Sequence, residues 1–527
     1  MAHIFFPQFK KGKKGIEITK GTILEAARKL GIEIISECGG RGLCGKCIIR
    51  IEKGEESLKP PTEIEKKSNL GENERLACQA EIIGNKDIYI FIRSTGKFSI
   101  LSDTLKDKIK IDPFVIRRNG KIFWNEEVVD KDRGNIYGLA IDVGTTTLVF
   151  QIVDLETGEN IITFADKNPQ ASYGDDVISR IDWTMKKKEG LKELQRALIT
   201  KINRDLKKID RERGENISNK IYETVVVGNS TMRDIFFGIN VFSLGVIPFE
   251  SQNKEAINQK ASYLNLEINP QGNVYGASLI GGHAGADALA NIILTEIYKN
   301  EKVSMIIDVG TNGEVAIGNK DKIFTASSAA GAAYEGAAVT SGIAAIEGAI
   351  ANVKIIDGRV DYRTIGDKPP LGICGSGLID LLAELLKHKI MSKTAKLKKD
   401  FYIVNDIGIS QQDIYQLITA KAGLRLDQDL LRKYYGITLK EIDKIYLSGG
   451  FGNFINPDNA ILVGLLPPAR EKIIKIGNGA LAGARQMLLS RKKRKIAEEI
   501  AKKIQHIKPN EREKDFTYLV AEKMYFN

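Results

Sequence analysis

The residues Ile-Asp-Val-Gly-Thr stand at Ile141 and again at Ile307, opening the runs IDVGTTTLVFQIVD and IDVGTNGEVAIGN. Each copy implies the same local design: a buried apolar strand delivers an Asp, a Gly-Thr turn follows, and a second β-rich run returns as the other arm of a hairpin. Backbone N–H groups and Thr hydroxyls of such a turn can meet phosphate oxygens, and the Asp can hold a hydrated magnesium ion. Two such hairpins can face each other across a cleft. A third run, KIYLSGGFGN from Lys444, reads as a strand ending in Gly449, Gly450 and Gly452, where backbone can approach a flat adenosine closely. Between the repeats, TVVVGNSTMRDIFFG from Thr224 is another buried strand, closed by Asn229, Ser230 and Thr231.

This order of segments resembles the superfamily of acetate kinase, sugar kinases, heat-shock chaperones and actin. The resemblance implies an ATPase of two RNase H-like halves, with Gly144, Thr145, Thr146, Gly310, Thr311 and Asn312 at the phosphates. Asp142 and Asp308 would organise Mg2+, Asn229 would lie in the connecting segment, and Gly449, Gly450 and Gly452 would line the adenosine pocket. Two duplicated halves that no longer bind nucleotide are the alternative.

Near the N-terminus, Cys38, Cys44, Cys47 and Cys78 are separated by five, two and thirty residues. Three thiolates in one loop and a distant fourth are the arrangement of plant-type [2Fe–2S] ferredoxins, with one residue more in the first gap; adrenodoxin-like ferredoxins share that wider gap. Glycines fill the loop at Gly39, Gly40, Gly42 and Gly45, where N–H groups can aim at cluster sulfurs. A zinc site would more often show two short Cys pairs, and disulfides fit poorly with five cysteines in 527 residues and no apolar signal segment at the start.

The net charge of +11 is a modest excess of 78 Lys and Arg over 67 Asp and Glu, enough to attract an acidic partner. No nucleic-acid motif accompanies it, so no nucleic-acid partner is expected. No stretch qualifies as a membrane-spanning helix, which excludes a membrane role and suggests a reducing cytoplasm. The basic runs Lys186 to Lys188 and Arg491 to Lys495 read as solvated helix faces. Ala326 to Ala351 reads as tightly packed helices and turns. Helical patterning covers Thr22–Leu30, Gly190–Lys208, Asp287–Tyr298, Leu378–Leu386 and Ala480–Ile504. Softer candidates are His283 in a Gly-rich run, Asp287, Cys374 as a small buried side chain, and Lys421 as an adenine contact or an exposed helical lysine.

The expected organisation is an α/β and α+β multidomain chain. A β-grasp ferredoxin-like domain covers 1–93, a small and mobile linker domain 94–135, a first RNase H-like subdomain 136–223, and a larger ATPase domain with the second phosphate and adenosine segments 224–527. Over the whole length, the cysteine set, both hairpins, GNSTM, SAAGAAYEGA from Ser328 and LSGGFGN resemble the reductive activators of corrinoid proteins. That resemblance implies a [2Fe–2S] cluster, ATP and Mg2+, and a corrinoid protein as partner, either a corrinoid iron–sulfur protein or a corrinoid methyltransferase component. It also implies a low-potential electron donor and a possible homodimer. Plant-type clusters lie near roughly −400 mV, uphill for making cobalt(I), so ATP would change how the corrinoid protein is gripped. Two alternatives stand beside it. One is an activator of another low-potential acceptor, such as a 2-hydroxyacyl-CoA dehydratase, whose subunit-bridging [4Fe–4S] cluster would need cysteines this chain lacks beyond Cys374. The other is a nucleotide-binding, redox-responsive scaffold.

Overall fold

The computed structural model describes residues 2–526 except 8–11, 19, 33, 35–39, 41, 43–46, 69, 72, 93–108, 175, 329–331, 336–337 and 450–453. The chain forms two compact units, residues 1–97 with 168–197, and residues 98–167 with 198–527.

In the first unit, five strands pair in the order Ile16–Ile18, Ala2–Phe5, Ile88–Ile92, Ile48–Lys53, Glu74–Leu76. Ala2–Phe5 runs parallel to Ile88–Ile92 and the other neighbours are antiparallel. The helix expected at Thr22–Leu30 runs Ile23–Lys29, and Thr22 caps it through a reciprocal capping box with Glu25. Its apolar side, Ile23, Leu24, Ala26 and Ala27, closes over the sheet in a core shared with Ile4, Ile49, Ile90 and both described cluster cysteines. The segment 168–197 adds a short 3-10 turn, Pro169–Ser172, and the helix Val177–Lys186.

The second unit holds the two copies of the repeat. Tyr137–Val143 and Thr147–Asp154 form the first hairpin, central in a six-stranded sheet, and Ser304–Val309 and Gly313–Gly318 form the second in another six-stranded sheet. In each leading strand every residue is buried except the Asp, so the apolar run fixes the strand in the core and leaves its carboxylate at the open end. Ile221–Val227 lies parallel to Tyr137–Val143, and Lys444–Ser448 lies parallel to Ser304–Val309, bringing Asn229 and Ser448 to the same ends as the two Asp residues.

Residues 115–131, in the expected linker, form a three-stranded antiparallel sheet of Val115–Arg118, Lys121–Trp124 and Glu127–Lys131. It is tied to the ATPase core at Glu223. The Trp124 indole N–H donates to Glu223 (2.5 Å), Asn273 donates to it (3.1 Å), and Arg494 pairs with it at 2.7 Å, with both charged partners buried. Arg494 also lies 4.1 Å from the Tyr275 ring centre and 4.5 Å from that of Phe114. The basic run Arg491 to Lys495 is therefore not simply a solvated face.

Three other expectations change in detail. Ala480–Ile504 is two helices, Gly479–Leu489 and Arg491–Ala501, broken at Ser490, whose extended backbone and hydroxyl cap the second. Ala326–Ala351 opens and closes as strand, within Ile323–Ser328 and Ala349–Ile356, because both pair into sheets. Lys421 is neither exposed nor free for adenine: it is buried in the helix Gln411–Tyr435, donates to the Tyr525 carbonyl (2.8 Å) and lies 4.6 Å from the Phe526 ring centre.

Burial, aided by Arg425 and Lys523, lowers the Lys421 ammonium from the usual lysine value to about 7. The unfolded chain then binds one more proton than the folded one between pH 7 and the ordinary lysine pKa, so stability rises with pH across that window. Amide exchange in Phe516–Met524 is expected to slow from pH 7 to 9, after correction for intrinsic rates, and Lys421→Met is expected to abolish the trend.

Candidate nucleotide and cluster sites

The two turns of the repeat meet. Thr146 and Thr311 share a side-chain hydrogen bond of 3.0 Å, and Asn229 donates to Thr145 at 2.9 Å while its carbonyl oxygen caps the helix Ser230–Phe237. Phosphate-1, connecting and phosphate-2 segments therefore converge on one cleft. Asp142 accepts from Asn478 (2.8 Å) and Asp308 from Asn291 (2.6 Å), so an amide holds one oxygen of each carboxylate. Asn291 is itself oriented by Ser448, which donates to its carbonyl oxygen at 2.8 Å and accepts from the Gly479 amide at 3.3 Å.

Two glycines make this packing possible. Gly449 has φ +119°, and a Cβ there would lie 2.4 Å from the Val309 carbonyl; a Cβ on Gly479 would lie 2.1 Å from the Asn291 carbonyl oxygen. The strand Lys444–Ser448 and the helix Gly479–Leu489 can thus close directly on the Asp308 turn.

Asp287 and Glu314 join the Asp pair. Burial, then repulsion from Asp142, pushes the Asp287 carboxyl well above the usual range; burial, then repulsion from Asp287, Asp308 and Asp142, does the same to Glu314. Burial raises Asp308 too, against its hydrogen bonds to Asn291 and Ser448. Among the described residues none of Asp287, Asp308 and Glu314 has an ion pair, and Glu314 Oε1 and Asn312 Nδ2 are buried without a hydrogen-bond partner. Such a site fits a cation and a phosphate. Among the described residues no three His, Cys, Asp or Glu side chains are placed to hold a metal directly; Mg2+ keeps several of its waters and takes only one or two carboxylates.

Of the expected nucleotide residues, Gly450 and Gly452 lie outside the described residues, and the rest line or adjoin this cleft. Sequence reasoning left Asp287 a weak candidate and missed Glu314, Asn291, Asn478 and Ser448. Glu314 carried a usable signal: it occupies, in the second copy, the place that Leu148 takes in the first. His283 touches the connecting segment, its carbonyl accepting from the Ser230 amide at 3.5 Å. Cys374 is a buried side chain whose thiol is raised by burial, and it bonds the Ile350 carbonyl at 3.4 Å.

In the first unit, Cys38 and Cys44 lie outside the described residues. Cys47 and Cys78 are buried, with sulfurs 3.4 Å apart. A disulfide would require about 2.05 Å, whereas two thiolates on one tetrahedral metal with bonds near 2.3 Å sit roughly 3.8 Å apart. The pair fits two ligands of one iron.

Fold and sites define a class: an iron–sulfur electron carrier joined to an ASKHA-type ATPase. Family models agree, the 2Fe-2S iron-sulfur cluster binding domain matching 9–82, the RACo middle region 137–300, and the C-terminal ASKHA domain of RACo 302–527. The chain belongs to the RACo family. It is 29% identical to the corrinoid activation enzyme RamQ of Eubacterium limosum, over 93% of this chain and 94% of that one. It is 27% identical to the [Co(II) methylated amine-specific corrinoid protein] reductase of Methanosarcina barkeri, over 70% and 73%. A solved structure, described as a reductive activator for corrinoid, iron-sulfur protein, superposes with a TM-score of 0.75 at 28% identity, over 100% of this chain and 98% of that one. Among the described residues no helix is long and apolar enough to cross a membrane.

Gly479→Ala should displace the Asn291 amide and free Asp308. Isothermal titration with a non-hydrolysable ATP analogue is expected to show at least tenfold weaker binding, about the cost of leaving one buried polar group unpaired; an unchanged affinity would show that this network does not hold the site.

Proposed function

We propose that this protein is an ATP-dependent reductive activator: an electron from a [2Fe–2S] cluster on Cys38, Cys44, Cys47 and Cys78 passes to cobalt(II) of a corrinoid protein and restores cobalt(I). The observation that carries the reading is the meeting of the two Asp-Val-Gly-Thr turns through Thr146 and Thr311, on a chain whose other unit brings the sulfurs of two buried cysteines to within 3.4 Å of each other. The names of the relatives, a corrinoid activation enzyme and a cobalt(II) corrinoid protein reductase, support the substrate.

In this reading the Gly144 and Gly310 turns and the hydroxyls of Thr145, Thr146 and Thr311 receive the phosphates, with Asn312 donating its free amide. Asp142 and Asp308, each with one oxygen held by an amide, turn the other toward hydrated Mg2+, which would neutralise phosphate charge. Gly449 would line the adenosine, and Gly450 and Gly452, outside the described residues, are expected to do the same. Asp287 is the group best placed to orient a water and accept its proton, because burial, and then the carboxylates around it, raise its basicity. Exchange of ATP for ADP would alter the Thr146–Thr311 contact, giving the cleft two states for the corrinoid partner to sense. The partner is a corrinoid iron–sulfur protein or a corrinoid methyltransferase component, served by a low-potential donor in the cytoplasm, with a homodimer as the working assembly.

The test is anaerobic visible spectroscopy of a cobalt(II) corrinoid protein with catalytic amounts of this protein, Mg2+ and a low-potential reductant. Cobalt(I) is expected only with ATP, and not with Asp308→Ala or Cys47→Ala. Its absence with several corrinoid proteins, while the cluster stays reducible, would sink the assignment. Asp287→Asn is expected to keep nucleotide affinity within a few-fold but to lower ATP turnover by about 10²- to 10⁴-fold; equal losses in both would make it a binding residue only.

A further inference from the structure

Arg28 carries a charge that this activity does not use. It lies one turn beyond Leu24 on the helix Ile23–Lys29, so both side chains share a face. The amides of Ile23 and Leu24 donate to the carbonyls of Ala80 and Ala77, at 3.1 and 2.9 Å, on either side of Cys78. The helix is thereby fixed to the turn that presents that cysteine; burial lowers the Arg28 pKa, and Tyr173, Glu25 and then Cys78 work against that lowering.

The guanidinium is held from its other side by the segment 168–197. Its carbon lies 5.1 Å from the Tyr173 ring centre and 5.7 Å from that of Trp183, within cation–π range. The Trp183 indole N–H donates to Glu193 at 3.0 Å, which fixes the ring. Arg28 Nε and Nη2 are buried without a hydrogen-bond partner. Glu25 and Glu193 feel its charge, yet neither forms an ion pair with it. Among the described residues, then, no ion pair neutralises this largely buried cation beside a cluster ligand, and arginine does not lose its proton in proteins.

We propose that Arg28, clamped by Tyr173 and Trp183, is a positioning residue that raises the reduction potential of the iron–sulfur cluster, making the segment 168–197 part of the electron carrier. Reduction adds one electron, and hence one negative charge, to the cluster; a fixed, poorly solvated positive charge nearby favours that reduced form. The inference rests on the cluster assignment and is independent of the corrinoid partner.

The experiment is an EPR-monitored redox titration of the full-length protein, reconstituted anaerobically with iron and sulfide, with cluster content checked by iron and sulfide analysis. Arg28→Met is expected to shift the one-electron equilibrium about tenfold toward the oxidised form, ~59 mV lower. Arg28→Lys, which keeps the charge, should recover most of that shift. Trp183→Leu, which releases the guanidinium to water, should lower the potential by a smaller amount with Arg28 still present. An Arg28→Met potential equal to wild type, or an Arg28→Lys potential as low as Arg28→Met, overturns the proposal. If Arg28→Met fails to hold its cluster, Trp183→Leu decides, and an unchanged potential there overturns it. A wild-type protein with no [2Fe–2S] signal would instead remove the cluster reading itself.

Discussion

The arrangement on which the ATPase unit depends is the gathering of four carboxyl groups, Asp142, Asp287, Asp308 and Glu314, at the open ends of two buried strands. Burying carboxylates together costs free energy unless protons or cations offset it. Among the described residues the protein supplies amides to Asp142 and Asp308 and no ion pair to Asp287, Asp308 or Glu314. The cleft is therefore electrostatically incomplete by itself, and a ligand that brings Mg2+ relieves a strain built into the fold. Binding such a ligand should stiffen the unit as well as fill it.

The groups around these carboxylates follow from that constraint. An amide can hold one carboxylate oxygen without cancelling its charge, which a lysine would do; Asn291 and Asn478 orient Asp308 and Asp142 without bringing a charge of their own. Ser448 couples this orientation to the adenosine strand, since one hydroxyl serves both the Asn291 carbonyl and the Gly479 amide. Across the cleft, the Thr146–Thr311 bond is replaceable by phosphate oxygens at little cost, because hydroxyls accept and donate with equal ease.

Much of this was legible in the sequence where one local rule decides. The repeat, with its apolar run, Asp and Gly-Thr turn, announced both hairpins, and helical patterning announced the helix beside the cysteine loop. What escaped reading was set by contacts between distant segments. Asn291 is a polar position inside an apolar helix and Asn478 caps the start of another, and only the folded structure shows that they face Asp308 and Asp142. Lys421 looked like a surface residue because its partners, Tyr525 and Phe526, arrive from the far end of the chain. Residues 115–131 carry too little hydrophobic pattern for a sheet to be foreseen, because the pairing that organises them includes only two deeply buried anchors, Val115 and Ile122.

Glu223 has a consequence for how this protein can be divided. Its strand is wholly buried, and three partners from distant parts of the chain, Trp124, Asn273 and Arg494, converge on its carboxylate. Cutting the chain just ahead of the first hairpin would strip away Trp124 and Phe114, leaving the Glu223–Arg494 pair short of a hydrogen bond and of the ring that covers it. Loss of one partner from a buried ionic cluster costs far more than such a cluster contributes when intact. In modular terms, the three-stranded sheet belongs to the engine and not to the tether: an excised ATPase would have to begin before Asp112, and lineages that swap or shorten their electron-carrying modules would be expected to do so upstream of that sheet.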